Sequence, residues 1–233
     1  MSPAQPTAEH RSTQRGRRAL RRSAAGALAA AFLALAACGD PAPLEGLSDV
    51  QQGQLATAWK ARISATDSAA IPPDQRGARV TAFYKACEPL DPASPLLVAV
   101  KASCQPAAID AKLASVLPDR CAKPSASCVR ALDRIAQNTE SLATTTAALS
   151  EAATTAIKDP ECRAEFTSTS EQLKAYGDLA QAYRVMALGV ERADADITSL
   201  GQRRIDAAKV LLTPKGRVDE RTVRFRDACG IDA

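Results

Sequence analysis

Histidine is almost missing from this 233-residue chain, and its one copy, His10, precedes everything that reads as a folded body. Imidazole is the usual general base near neutral pH and the commonest nitrogen ligand for metals. Its absence beyond residue 10 excludes Ser-His-Asp and Cys-His catalysis there, and with them every histidine-ligated metal centre. Aromatic residues make up 3% of the chain and Trp59 is the single tryptophan, too few for a base-stacking platform. No Gly-rich phosphate loop, G-x-S-x-G elbow or C-x-x-C pair occurs. An enzyme built on this body would have to work with carboxylates. The expectation is a non-catalytic protein with no cofactor and no metal.

Long apolar runs are also scarce. The longest, Ala24 to Ala37, has 14 residues, short of the roughly 20 that a spanning helix needs. It follows Arg11, Arg15, Arg17, Arg18, Arg21 and Arg22 and ends in Leu35-Ala36-Ala37-Cys38. A basic segment, a short apolar segment and a small-residue site form a secretion signal. The last four residues resemble the lipobox of bacterial lipoprotein precursors. The resemblance covers about forty residues and implies that Cys38 receives a diacylglycerol and becomes the first residue of the mature protein. Stable anchoring needs two or more acyl chains, so the membrane is an expected partner. Arg17-Arg18 resembles a twin-arginine export pair only faintly. Asp40 stands one place beyond the position at which aspartate resembles an inner-membrane retention signal. The expected location is therefore the extracytoplasmic side of a cell membrane, the outer membrane in a Gram-negative envelope.

Charge must be read without that leader. Six of the 30 basic and one of the 26 acidic residues lie within residues 1–37, leaving 24 and 25 in the remainder. The basic balance of the whole chain belongs to the leader and gives no support to nucleic-acid binding.

Apart from Cys38 there are six cysteines: Cys87, Cys104, Cys121, Cys128, Cys162 and Cys229. An even number in an exported chain predicts three disulfides. Cys121–Cys128 is favoured as a local bridge, and the pairing of the other four stays open.

The expected organisation is a cleaved signal (1–37), a lipidated cysteine with a short tether (38–46) and one helical domain (47–233). Gly39 to Gly46 could reach at most about 28 Å. Ser48 is a candidate cap for a helix carrying Leu55, Trp59 and Ile63. Shorter helices carry Val80, Phe83, Tyr84 and Cys87, then Leu97, Val100 and Cys104, with Pro106 expected to interrupt. Cys128, Leu132, Ile135, Thr139, Leu142, Thr146, Leu149, Ala153 and Ala156 alternate four and three apart, placing them on one helical stripe. Asp159-Pro160-Glu161 reads as a helix start. A second stripe follows through Cys162, Phe166, Thr169, Leu173, Tyr176, Ala180, Tyr183, Ala187 and Val190, and continues to about Leu212. The expected fold is an all-α antiparallel bundle with a long helical hairpin, held by disulfides. A straight helix from Pro160 to Leu212 would be about 78 Å long, too long for Cys229 to return to Cys162. Sequential pairing would then require a bend or break, for which Gly177, Gly189 and Gly201 are candidate places.

Candidate sites are few. Glu191, Asp194 and Asp196, with Asp178 earlier, could form a polar or cation-binding spot or a solvated face. Tyr176 and Tyr183 could line a groove or pack the core. Trp59 could anchor a ligand or plug the core. Arg217, Arg221, Arg224 and Arg226 interleave with acids and read as a solvated face. The leading expectation is a lipid-anchored cell-envelope protein whose bundle binds an unidentified envelope protein or is structural. The alternative is a binder of a small ligand or cation with a pocket between helices. A cavity lined by Tyr176, Tyr183 or Asp194 would favour the binder, and an exposed apolar stripe the partner-binding reading.

Overall fold

The computed structural model describes residues 44–66 and 72–231. Among these residues it is all helical: α1 (Asp49–Thr66), α2 (Pro73–Cys87), α3 (Pro95–Arg120), α4 (Ala126–Ala156), α5 (Pro160–Phe166), α6 (Ser170–Glu191), α7 (Ala195–Leu212) and α8 (Val218–Cys229). The leader, Cys38 and the first part of the tether lie outside the described residues. None of the described helices is long and apolar enough to cross a membrane.

Side chains at the starts of the helices explain several boundaries. Ser48 Oγ accepts from the Gln51 amide at 3.3 Å while Gln51 Oε1 accepts from the Ser48 amide at 2.9 Å, a reciprocal cap on α1. Ser125 Oγ accepts from the Cys128 amide at the start of α4. Asp159 Oδ1 accepts from the Cys162 amide at 2.8 Å ahead of α5, as the Asp-Pro-Glu signal predicts. Each such cap contributes about 1 kcal/mol.

Two expectations near the start need correction. Pro106 does not interrupt: α3 runs through it and through Pro118. The proline lacks the N–H that would serve Ala102, but its own carbonyl accepts from Asn138 Nδ2 of α4 at 2.9 Å. Pro106, Ala107 and Ala108 are all buried, so tertiary packing offsets the local cost of the ring. The tether is also shorter than expected. Leu44 is 2% exposed and packs in the core, and Glu45 pairs with Lys158 at 2.9 Å.

The sequence leaves the continuity of the second long helix open. The region from Pro160 to Leu212 forms three helices, broken at residues 167–169 and 192–194. Neither break is at a glycine. Thr169, expected on the apolar stripe, caps α6 instead: its Oγ1 accepts from the Gln172 amide, and Gln172 Oε1 from the Thr169 amide. Asp194 caps α7, its Oδ1 accepting from the amides of Asp196 and Ile197 at 2.9 and 3.0 Å. Capping chemistry at Thr169 and Asp194 thus outweighs the four-three periodicity.

The three disulfides are sequential: Cys87–Cys104, Cys121–Cys128 and Cys162–Cys229. The last is the pairing that required a break, and the breaks are present. It joins α5 to α8.

Helix α4 packs between α3 and α6, and α6 against α7. The α6–α7 contact is very close. At Gly201 a Cβ would lie 2.6 Å from the Met186 amide nitrogen, and at Gly189 it would run into the Thr198 backbone. Of the glycines expected as hinges, Gly189 and Gly201 therefore serve as the contact floor between two helices, while Gly177 is exposed with open space around its Cα. The turn that joins these helices places Ala193 at φ 52°.

Two hydrophobic clusters share α4. Its C-terminal half gives Leu142, Leu149 and Ala153 to a cluster with α1, α2, α5, α8 and the start of α3. Its N-terminal half gives Cys128, Leu132, Ile135 and Ala136 to a cluster with α6 and α7. Eight of the nine expected stripe positions on α4 are buried, Ala156 being exposed. Trp59, Phe166 and Phe225 tie α1, α5 and α8 together, with ring centroids 4.5, 5.7 and 6.1 Å apart.

Candidate functional site: a cleft beside Arg62 and a buried polar layer

Trp59 and Arg62 lie three residues apart on α1, so they share one helical face. The Arg62 guanidinium carbon sits 4.9 Å from the centre of the Trp59 ring, within range of a cation–π interaction. Arg62 Nη1 donates to Ser103 Oγ of α3 at 2.7 Å, and Ser103 donates onward to the Val100 carbonyl at 2.8 Å. Among the described residues no carboxylate pairs with Arg62. Burial is the largest influence on this guanidinium and lowers its pKa, Tyr176 opposes that, and Arg221 adds to it.

This pair lines a cleft of about 600 Å³. Ile63, Val210, Leu211 and Pro214 supply apolar wall, and Lys215, Arg221 and Arg224 add cationic groups around Arg62. Glu165 and Glu171 also line it, but Glu165 is held by Arg224 Nε at 2.7 Å. The cleft lies where α1, α5, the start of α6, the end of α7 and α8 meet. Of the residues expected to mark a pocket, Tyr176, Tyr183 and Asp194 do not line it, while Trp59 does. Trp59 is thus both a core plug and one wall of a cleft.

A polar layer is formed by side chains of α3, α4 and α6. Thr139 and Thr146, the two threonines on the α4 stripe, are buried. Thr139 Oγ1 donates to the Ile135 carbonyl at 2.7 Å and lies 3.4 Å from Asp110 Oδ1. Burial pushes the Asp110 carboxyl up to about 6, against the lowering effects of Thr139, Lys209 and Asn138. The Tyr183 hydroxyl is raised by burial and then by Asp110, and Tyr176 is raised chiefly by burial. Tyr183 is buried in the cluster shared by α4, α6 and α7, and Tyr176 packs partly buried against the other cluster. Asp110 and Arg62 were not picked out from sequence. Asp110 lies one position from the apolar Ile109 on a mixed-pattern helix, and Arg62 lies between core positions of α1, where a long cation reads as surface. A usable signal was the pair of threonines on an otherwise apolar stripe, which marks polar groups inside.

The other candidates disperse. Asp194 is a helix cap, and among the described residues no three of histidine, cysteine, aspartate and glutamate gather as a metal site. Arg217, Arg221, Arg224 and Arg226 divide: Arg226 pairs with Asp227, Arg224 with Glu165, and Arg221 faces the cleft. On α3, Val98, Ile109 and Val116 are 46%, 38% and 36% exposed. At 100° per residue they fall on one line of the helix surface.

No family model matches the chain, and no curated protein and no solved structure matches it.

Proposed function

We propose that this protein is a lipid-anchored component of a bacterial cell envelope, with a non-catalytic bundle that binds a partner protein or serves as a structural element. The observation that carries this reading is cysteine parity. Six of the seven cysteines pair with one another inside the bundle. The seventh, Cys38, is the one that ends the basic-then-apolar leader. Structural disulfides of this number are characteristic of oxidising compartments, which agrees with export. A partner-binding role would draw on exposed apolar side chains such as Val98, Ile109 and Val116 on one side of α3.

The test is covalent. The native full-length gene product should carry acyl chains on Cys38 by mass spectrometry and sediment with membranes. Cys38→Ser should abolish the modification and release the protein from them. Full-length protein with reduced cysteines and no lipid would reject the anchor and the compartment together.

A second reading, a small-ligand-binding lipoprotein, is supported by the cleft beside Trp59 and Arg62.

A further inference from the structure

We infer that the cleft between α1, α5, α7 and α8 takes a small organic anion, with its oxyanion group, carboxylate or phosphate, against Arg62. The inference rests on the second reading above and gives it a ligand chemistry. Three observations converge on it. First, a largely buried guanidinium is costly unless an opposite charge or full hydrogen bonding compensates it. Among the described residues Arg62 has one hydroxyl, Ser103, and one aromatic face, Trp59, but no carboxylate. A guanidinium presents five N–H donors in a planar fork matched to two oxygens of a carboxylate or phosphate. An incoming oxyanion would supply the missing charge. Second, the space is there: the cleft holds about 600 Å³, and the cationic side chains that line it, Arg62, Lys215, Arg221 and Arg224, outnumber the acids Glu165 and Glu171, so its field favours anions. Glu165, one of its two acids, is already neutralised by Arg224. Third, Ile63, Leu211 and Pro214 form an apolar flank that would cover a short hydrocarbon body. A bare inorganic ion would leave that flank unused.

The single tryptophan reports on the site without labelling. The full chain is titrated in detergent with hexanoate, inorganic phosphate and hexanol, and separately, after detergent removal, with phosphatidylglycerol or phosphatidylcholine vesicles, while Trp59 emission is followed. Hexanoate is expected to give a saturable change, phosphate a weaker one and hexanol none. Arg62→Met, which keeps an unbranched apolar stem without the charge, should weaken hexanoate at least tenfold while the melting temperature holds or rises. Lys215→Met, on an exposed turn and safe for folding, should weaken it severalfold. A change with phosphatidylglycerol vesicles that Arg62→Met abolishes, without one from soluble anions, assigns the oxyanion to a lipid headgroup. Hexanol binding as tightly as hexanoate would overturn the anion assignment and leave a neutral-ligand pocket standing. Silence from every probe, or unchanged binding in both variants, would overturn the inference, and silence would remove the second reading as well. The state of Cys38 bears on neither result.

Discussion

Gly201 faces Met186 across the α6–α7 contact so closely that a methyl group on its Cα would lie 2.6 Å from the Met186 amide nitrogen. No side chain can rotate out of that clash, because the obstacle is backbone. Gly201→Ala and Gly189→Ala should each destabilise the protein by about 2 kcal/mol or more, in the range of overpacked cores. Gly53→Ala and Gly177→Ala are the controls. Both glycines are helical, exposed and open around the Cα, so alanine should stabilise there by about 0.5–1 kcal/mol. Denaturant melts of the four variants check the split in sign.

Ala193 presents the opposite opportunity. It occupies the left-handed region at φ 52° where α6 turns into α7, a conformation that costs an L-residue about 1 kcal/mol and glycine almost nothing. Ala193→Gly should raise stability by about 0.5–1 kcal/mol. A lower denaturation midpoint would contradict the assignment of this turn.

Loop length ranks two of the disulfides. Cys162–Cys229 spans 67 residues and Cys121–Cys128 spans 7. Chain-entropy reasoning gives about 4 kcal/mol for the first and about 2 kcal/mol for the second. Removing each pair as a double alanine variant should reproduce that order in equilibrium unfolding. Hydrogen exchange should quicken in α5 and α8 only in the first variant.

The polar layer predicts a pH dependence. Burial pushes the Asp110 carboxyl from the ordinary value of 3.8, which applies in the unfolded chain, up to about 6 in the fold, so the folded state holds its proton more tightly. Its contribution to stability is fully present below pH 3.8 and is lost as pH rises through about 6. Asp110→Asn keeps an acceptor for Thr139 and removes the charge. It should flatten stability between pH 4 and 7 and raise it at pH 7 by on the order of 1–2 kcal/mol. Thermal melts across that range decide the matter.

The helical class, the apolar face of α4 and the local Cys121–Cys128 bridge were legible in the sequence because each depends on short-range periodicity or spacing. The α5–α6 and α6–α7 breaks were not, although their signals were in view: Thr169 with Gln172, and Asp194 ahead of α7, are capping residues. Thr169 falls on a position of the apolar repeat and Asp194 follows Val190 at the same four-residue spacing, so periodicity and capping compete at both places. Pro106 departs from the sequence expectation for a related reason, since its tolerance depends on Asn138 and on burial that only the tertiary fold supplies. The cleft was out of reach because its lining comes from α1, α5, α6, α7 and α8 at once. Trp59 could be flagged singly, but its meeting with Lys215 and Arg221 depends on the two breaks.

The bond between Cys162 and Cys229 has a further effect on how the molecule tolerates damage. It spans α6, α7 and the exposed turn at Thr213–Arg217. Trypsin acting after Lys215 would cut the backbone without freeing either piece. One band should persist on a gel run without thiols, and a reducing gel should split it into two. Surface scission and loss of parts are thereby separate events for this bundle.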